Sequence, residues 1–104
     1  MNVNVLEIEL SLIRSDYKIY DNKKNLIGFD SVSCSGLKTH GEKLNRLFLH
    51  LLELKNEYSI DFVVYGFLVN SRGITVNDSM KNHLGLLVHV LFSDSLCLEG
   101  RELD

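Results

Sequence analysis

Polar and apolar residues alternate over the first part of the chain. Residues 6, 8, 10 and 12 are leucine or isoleucine, whereas the residues between them, Glu7, Glu9 and Ser11, are polar. A period of two is typical of a strand with one buried face. Residues 17–19 and 26–29 supply further apolar clusters, and the segment 21–25 between them has the aspartate and asparagine of a turn. We therefore predict three antiparallel strands joined by short turns.

The apolar spacing becomes helical after residue 36. Thr39, followed three positions later by Glu42, has the pattern of a capping box at the start of a helix that ends near Asn56. The helical stripe consists of Leu44, Leu47, Phe48, Leu51 and Leu54. Residues 60–69 are then rich in β-branched and aromatic residues on both faces, which predicts a central parallel strand covered above and below.

A second helix and a last strand complete the pattern. After a loop at 70–73, Asn77 or Asp78 can cap a helix. Its predicted buried stripe consists of Met80, Leu84, Leu87, Val88 and Leu91, and a short strand follows at 96–98. The predicted order is βββ-α-β-α-β, an α/β fold with a mixed five-stranded sheet and right-handed crossovers. A chain of 104 residues is long enough for one domain, 1–104.

Four segments in this order resemble the ribonuclease H superfamily and, within it, the RuvC family of Holliday-junction resolvases. Segments 6–11 (LEIELS) and 16–21 (DYKIYD) stand at the family's first two strands. Segments 63–67 (VVYGF) and 83–88 (HLGLLV) stand at its fourth strand and the small-residue helix behind it. The resemblance covers residues 5–98 and implies a ribonuclease H-like sheet that lacks the family's last helix.

The chemistry that the resemblance implies needs several carboxylates around one or two divalent cations. Glu9 replaces the family's first-strand aspartate, and its fourth-strand glutamate falls at Tyr65 or Gly66. Only residues 100–104 remain for the family's last helix, which carries the other acids. We therefore expect a scaffold with no metal, no cofactor and no nuclease activity. The alternative is a Mg²⁺-dependent junction endonuclease that uses Glu9 with Asp16 or Asp21.

Basic and nucleophilic side chains give weaker candidates. Arg72, Lys81 and Lys38 are candidates for an anion site beyond the carboxyl end of the central strand. Lys23 and Lys24 are candidates for phosphate contacts, although a solvated hairpin tip is the preferred interpretation. The four histidines have no metal-ligand spacing, and neither cysteine has the local pattern of a nucleophile. Ordinary surface charges are the preferred explanation of the basic residues, and burial in the core is that of the cysteines.

Composition limits the partners and the location. Eleven basic and fourteen acidic residues give a net charge of −3, which argues against nucleic-acid binding driven by total charge. The chain has no run of about 20 apolar residues and no signal-peptide pattern at its start, so we expect an intracellular, cytoplasmic protein without a membrane span. Cys34 and Cys97 are expected to be reduced thiols.

These features together favour a non-catalytic binding module over an enzyme. The expected partner is a protein, a second copy of the chain or a branched nucleic acid. Leu86 and Val90 extend the apolar part of the second helix beyond its main stripe, so they are candidates for a homodimer interface or a contact within a complex. The small size is typical of an accessory or inhibitor protein of a virus or mobile element.

Overall fold

The computed structural model describes residues 3–67 and 78–100, and its elements follow the predicted order. The strands of the meander are β1 (Asn4–Leu10), β2 (Arg14–Tyr20) and β3 (Leu26–Ser33). They are followed by α1 (His40–Glu57), β4 (Ile60–Phe67), α2 (Asp78–Leu91) and β5 (Leu96–Glu99). The predicted loop at 70–73 and the predicted cap at Asn77 lie outside the described residues.

The five strands form one mixed sheet in the order β3-β2-β1-β4-β5. β1 pairs antiparallel with β2, and β2 pairs antiparallel with β3. β4 lies parallel to both β1 and β5, so α1 and α2 are the crossovers that parallel neighbours require. The predicted mixed five-stranded sheet is confirmed.

Local hydrogen bonds explain why the first helix begins and ends where it does. The Thr39 hydroxyl accepts from the backbone N–H of Glu42 at 3.1 Å, and the Glu42 carboxylate accepts from the backbone N–H of Lys38 at 3.3 Å. The predicted capping pair therefore satisfies backbone donors at the start of α1. At the other end, the Tyr58 N–H donates to the Leu54 carbonyl, and Tyr58 itself is extended.

Both helices pack on the same face of the sheet. Ile8 of β1 lies opposite Tyr17 of β2 and Tyr65 of β4, so these three side chains share a face. The Tyr17 hydroxyl lies 3.4 Å from Nε2 of His50 on α1, and the Tyr65 hydroxyl lies 2.9 Å from Nε2 of His89 on α2. We call this the covered face. Its most deeply buried side chains include Leu6, Ile8, Leu10, Ile19, Leu47, Leu51, Val63, Leu84, Val88 and Phe92.

The opposite face, which we call the open face, carries exposed apolar side chains. Phe29 is 72% exposed, Phe62 38%, Leu96 53% and Leu98 51%. The prediction that the β4 strand is covered on both sides is therefore wrong for the described residues. The two crossovers run in the same direction across the sheet, from β3 to β4 and on to β5. Crossovers of one hand and one direction put their helices on the same side.

A buried serine connects the first two strands. Ser15 is fully buried, and its hydroxyl donates to the Ser11 carbonyl at 3.0 Å. The same oxygen accepts from the Ser11 N–H at 3.1 Å. Both the donor and the acceptor capacity of this hydroxyl are thus used inside the β1–β2 hairpin, which removes the cost of burying a polar group.

Candidate functional site on the open face

Three carboxylates lie in a groove on the open face. Glu7 and Glu9 of β1 point to this face, and Asp16 of β2 lies directly opposite Glu9. Lys18 lies opposite Glu7. The groove has a volume of about 820 Å³ and extends across β2 to Phe29 and its neighbours on β3. The register therefore brings together two of the candidate acids, Glu9 and Asp16, on adjacent strands.

Asp16 is engaged by a neighbouring arginine. Nε of Arg14 donates to one carboxylate oxygen of Asp16 at 2.9 Å, and Nη2 donates to the other at 3.2 Å. The hydrogen bond and the charge of Asp16 raise the pKa of the Arg14 guanidinium above its usual value. Such two-pronged pairs fix a carboxylate in one orientation. A cation that used Asp16 as a ligand would have to displace Arg14 from these oxygens.

The fourth strand contributes no carboxylate beside Glu9. Gly66 is the β4 residue that lies opposite Glu9, whereas Tyr65 points to the covered face. Of the two positions predicted for the family's glutamate, Gly66 is thus the one on the same face as Glu9, and it has no side chain. Among residues 3–67 and 78–100, no three His, Cys, Asp or Glu side chains are grouped so that they could hold a metal ion.

Asp21 belongs to a turn rather than to the groove. Its carboxylate accepts hydrogen bonds from the backbone N–H groups of Lys23 and Asn25, both at 2.9 Å, and from the Asn25 side chain at 3.1 Å. These bonds, with that of the Asn25 backbone first, lower the pKa of Asp21. Lys24 takes the left-handed backbone of the turn, with φ of 65°. The candidates Lys23 and Lys24 are exposed at this hairpin tip, and their role in phosphate binding stays a prediction.

The described residues include only part of the predicted anion site at the end of β4. Lys81 on α2 lies with Nζ 5.6 Å from the centre of the Phe67 ring. It lines a cavity of about 470 Å³ together with Tyr65, His89 and Glu99. Lys38 lies in the segment before α1 and is not part of that lining, and Arg72 falls outside the described residues. The structure therefore gives Lys81 aromatic and acidic neighbours, and its role as an anion ligand stays a prediction.

Sequence reasoning missed the contact between Tyr65 and His89. Tyr65 is 6% exposed, and burial, followed by the charge of Glu99, raises the pKa of its hydroxyl. The hydroxyl is held by His89 at 2.9 Å, so a buried polar group is satisfied at the rim of the core. No spacing in the sequence links positions 65 and 89, because the contact depends on how α2 packs on β4.

The remaining candidates are accessible or unreactive. Leu86 and Val90 are 61% and 65% exposed on α2, and their place in an interface stays a prediction. Cys34 and Cys97 are free thiols, and burial raises the pKa of both. A raised pKa keeps a thiol protonated and poorly nucleophilic at neutral pH. None of the helices in the described part of the chain is long and apolar enough to cross a membrane.

Comparison with known structures identifies the fold. The structure of Thermus thermophilus RuvC matches with a TM-score of 0.66 and 13% identity, over 96% of this chain and 63% of RuvC. RuvC of the same organism in complex with a Holliday-junction substrate matches with a TM-score of 0.59 and 14% identity, over 95% of this chain and 64% of that one. This chain has a ribonuclease H-like fold.

A more distant neighbour has the same architecture. The foamy viral protease–reverse transcriptase in complex with double-stranded DNA matches with a TM-score of 0.53 and 10% identity, over 99% of this chain and 20% of that one. This ribonuclease H-like chain spans just under two thirds of the length of RuvC. No protein-family model and no curated protein sequence matches it. Identities of this size show a common fold only, so the function has to be inferred from the residues of the site.

Proposed function

We propose that this chain is a non-catalytic binding module built on a ribonuclease H-like scaffold. The observation that supports it is the surroundings of Glu9. Its neighbour on β4 is Gly66, and its neighbour on β2, Asp16, is held by Arg14. Phosphodiester hydrolysis assisted by divalent cations needs carboxylates that converge on those cations. With Asp16 held by Arg14 and no carboxylate on β4 beside Glu9, this face is suited to binding rather than to metal-assisted hydrolysis.

The partner that best fits the open face is a protein. Its β4–β5 half presents the apolar side chains of Phe62, Leu96 and Leu98, each more than a third exposed. Its β1–β2 half presents carboxylates, Glu9 among them, which would repel the phosphates of a nucleic acid. Exposed apolar patches rimmed by polar groups are typical of protein-binding surfaces. A protein with apolar and basic side chains would complement both halves.

The setting of this function is part of the proposal. The chain would be a small accessory or inhibitor protein of a virus or mobile element. It would act inside a cell, by binding a protein partner. The free thiols of Cys34 and Cys97 fit a reducing compartment. Self-association through Leu86 and Val90 would make the module a homodimer, and the mass of the purified protein in solution measures this.

A cleavage and binding assay tests the proposal. The purified chain is mixed with a labelled four-way DNA junction and with a matched duplex, in the presence of Mg²⁺ or Mn²⁺. We expect neither DNA to be cut and neither to be bound tightly at physiological salt. Turnover of either DNA would overturn the non-catalytic assignment, and tight binding without turnover would replace the protein partner by a nucleic acid.

A metal-dependent endonuclease is the second candidate, because Glu9 and Asp16 lie directly opposite each other. This function predicts junction cleavage that needs Mg²⁺ or Mn²⁺ and disappears in the Glu9→Gln variant. Glu57→Gln, at the exposed end of α1, is the matched control and should cut like the unmodified chain. Cleavage that persists in Glu9→Gln would rule this candidate out.

A further inference from the structure

We propose that the free edge of β3, with the groove between β3 and α1, binds an extended segment of a partner protein as a sixth strand of the sheet. This inference rests on the proposed function, because it gives the protein-binding module a contact surface beyond the open face and states the chemistry of the segment that would bind there. It concerns the sheet edge and the β3–α1 groove, whereas the candidate acids Glu9 and Asp16 lie on the open face.

The hydrogen-bond pattern shows which groups of β3 point outward. The Cys34 N–H donates to the Ile13 carbonyl at 2.9 Å, next to the paired residues Arg14 and Ser33. Bonded and non-bonded pairs alternate along an antiparallel ladder. Asp30 and Val32 therefore bond to β2, whereas the backbone groups of Phe29, Ser31 and Ser33 point away from it. Nη1 of Arg46 reaches the Ser33 carbonyl at 3.2 Å, which agrees with this direction.

Two of the outward backbone groups are occupied, and both of those of Phe29 are open. The Ser33 carbonyl accepts from Arg46, and the Ser31 N–H donates to the carboxylate of Asp30 at 2.8 Å. The pattern leaves the N–H and the carbonyl of Phe29 directed outward, together with the carbonyl of Ser31 and the N–H of Ser33. A partner residue opposite Phe29 can exchange two hydrogen bonds with it, which is the basic unit of strand addition.

The groove beside this edge has room for the side chains of an added strand. It has a volume of about 650 Å³ and lies between β3 and the exposed side of α1. Leu49 is 51% exposed there and offers an apolar contact. Glu42 and Glu53 line the groove as acids, and Arg46 and His50 line it as basic residues. With Asp30 on the adjoining edge, acids outnumber bases around the bound segment.

This arrangement determines the chemistry of the partner segment. Side chains of a strand alternate between the two faces of a sheet, so one set of partner residues would face α1. Lysine or arginine in that set would meet Glu53 and Asp30. The other set would lie beside Phe29 and Ile27, which are 72% and 41% exposed, and would be β-branched or aromatic. The partner is therefore an extended segment in which basic and β-branched residues alternate.

The opposite edge of the sheet is a poorer site for such a segment. β5 has four residues, whereas β3 has eight. A longer edge offers more outward backbone groups, and long exposed edges with apolar side chains readily pair with another chain. The β3 edge is thus the one that the structure favours.

A titration with a synthetic heptapeptide of alternating lysine and valine, followed by nitrogen-edited NMR, tests the inference. We expect the backbone amide signals of Phe29 and Ser31 to shift and the exchange of the Phe29 N–H with solvent to slow. Phe29→Pro removes the outward N–H at a position where an edge strand tolerates proline, and it should weaken binding at least tenfold. Phe29→Ala keeps the N–H and loses only the ring contact, so it is the matched control and should bind more tightly than Phe29→Pro.

Charge reversal gives a second test that does not disturb the edge. Glu53→Lys, on the groove, should weaken binding of the basic peptide severalfold, whereas Asp94→Lys, in the exposed turn between α2 and β5, should leave it unchanged. Equal binding by Phe29→Pro and the unmodified chain, or shifts confined to other strands, would overturn the inference. So would a dimer that Phe29→Pro abolishes, because a second copy would then occupy the edge. DNA cleavage would overturn the proposed function without changing the outcome of this titration.

Discussion

The covered face and the open face of the sheet are made by the same strands and differ in almost every property. On β1, Leu6 and Ile8 are buried under the helices, while Glu7, between them, is exposed on the other side. The covered face stabilises the fold through close packing, whereas the open face can change without loss of the core. This difference explains how a chain only 13–14% identical to RuvC can share its fold.

Two matched leucine substitutions give the largest expected contrast between the faces. Leu6→Ala on the covered face removes a fully buried side chain and should cost about 2–5 kcal/mol, since it leaves a cavity. Leu98→Ala on the open face removes a half-exposed side chain and should cost about 1 kcal/mol or less. Chemical denaturation measures both free energies of unfolding. Equal losses would mean that the open face is packed in solution, for example against a second copy.

Two matched serine substitutions compare the same two faces, with smaller expected changes in the free energy of unfolding. Ser15→Ala removes a buried hydroxyl that both donates to and accepts from the Ser11 backbone, and the orphaned N–H should cost about 1–3 kcal/mol. Ser31→Ala, on the open face, should change the free energy of unfolding by about 0.5 kcal/mol or less. The same denaturation experiment measures both. A loss in Ser31→Ala as large as that in Ser15→Ala would contradict the assignment of faces.

The buried tyrosine of the covered face predicts a loss of stability at high pH. Burial raises the pKa of Tyr65, so the folded state keeps its phenol neutral at a pH where the unfolded chain, with an ordinary value near 10, ionises. The stabilisation is complete below that value and declines as pH rises above it. Thermal unfolding between about pH 9 and 11 should show a shallower decline for Tyr65→Phe than for the unmodified chain. Identical slopes would show that Tyr65 does not contribute.

The ion pair of the open face predicts the smallest effect. Arg14 and Asp16 are 59% and 37% exposed, so water and salt screen their attraction. Arg14→Ala should leave the melting temperature unchanged within error and free the Asp16 carboxylate. A clear drop in melting temperature would show that this pair supports the β1–β2 hairpin.

The sequence predicted the elements well because each periodicity is local. The alternation at 6–12 predicted β1, which the structure has at Asn4–Leu10. The stripe from Leu44 to Leu54 and the Thr39 cap predicted α1, and the predicted end of this helix lies within about one residue of the observed one. What covers a strand is not local, so the exposure of Phe62 was missed. The register between β1 and β4 is not local either, and it decides that Gly66 rather than Tyr65 lies beside Glu9. The contact of Tyr65 with His89 depends on the same packing.

The most direct test of the account is a titration of the nitrogen-labelled chain with Mn²⁺, observed through paramagnetic broadening of backbone amide signals. If the open face is not a cation site, millimolar Mn²⁺ should broaden exposed acids weakly and without saturation. Strong, saturable broadening centred on Glu9 and Asp16, relieved by Mg²⁺ and absent in Glu9→Gln, would contradict the account.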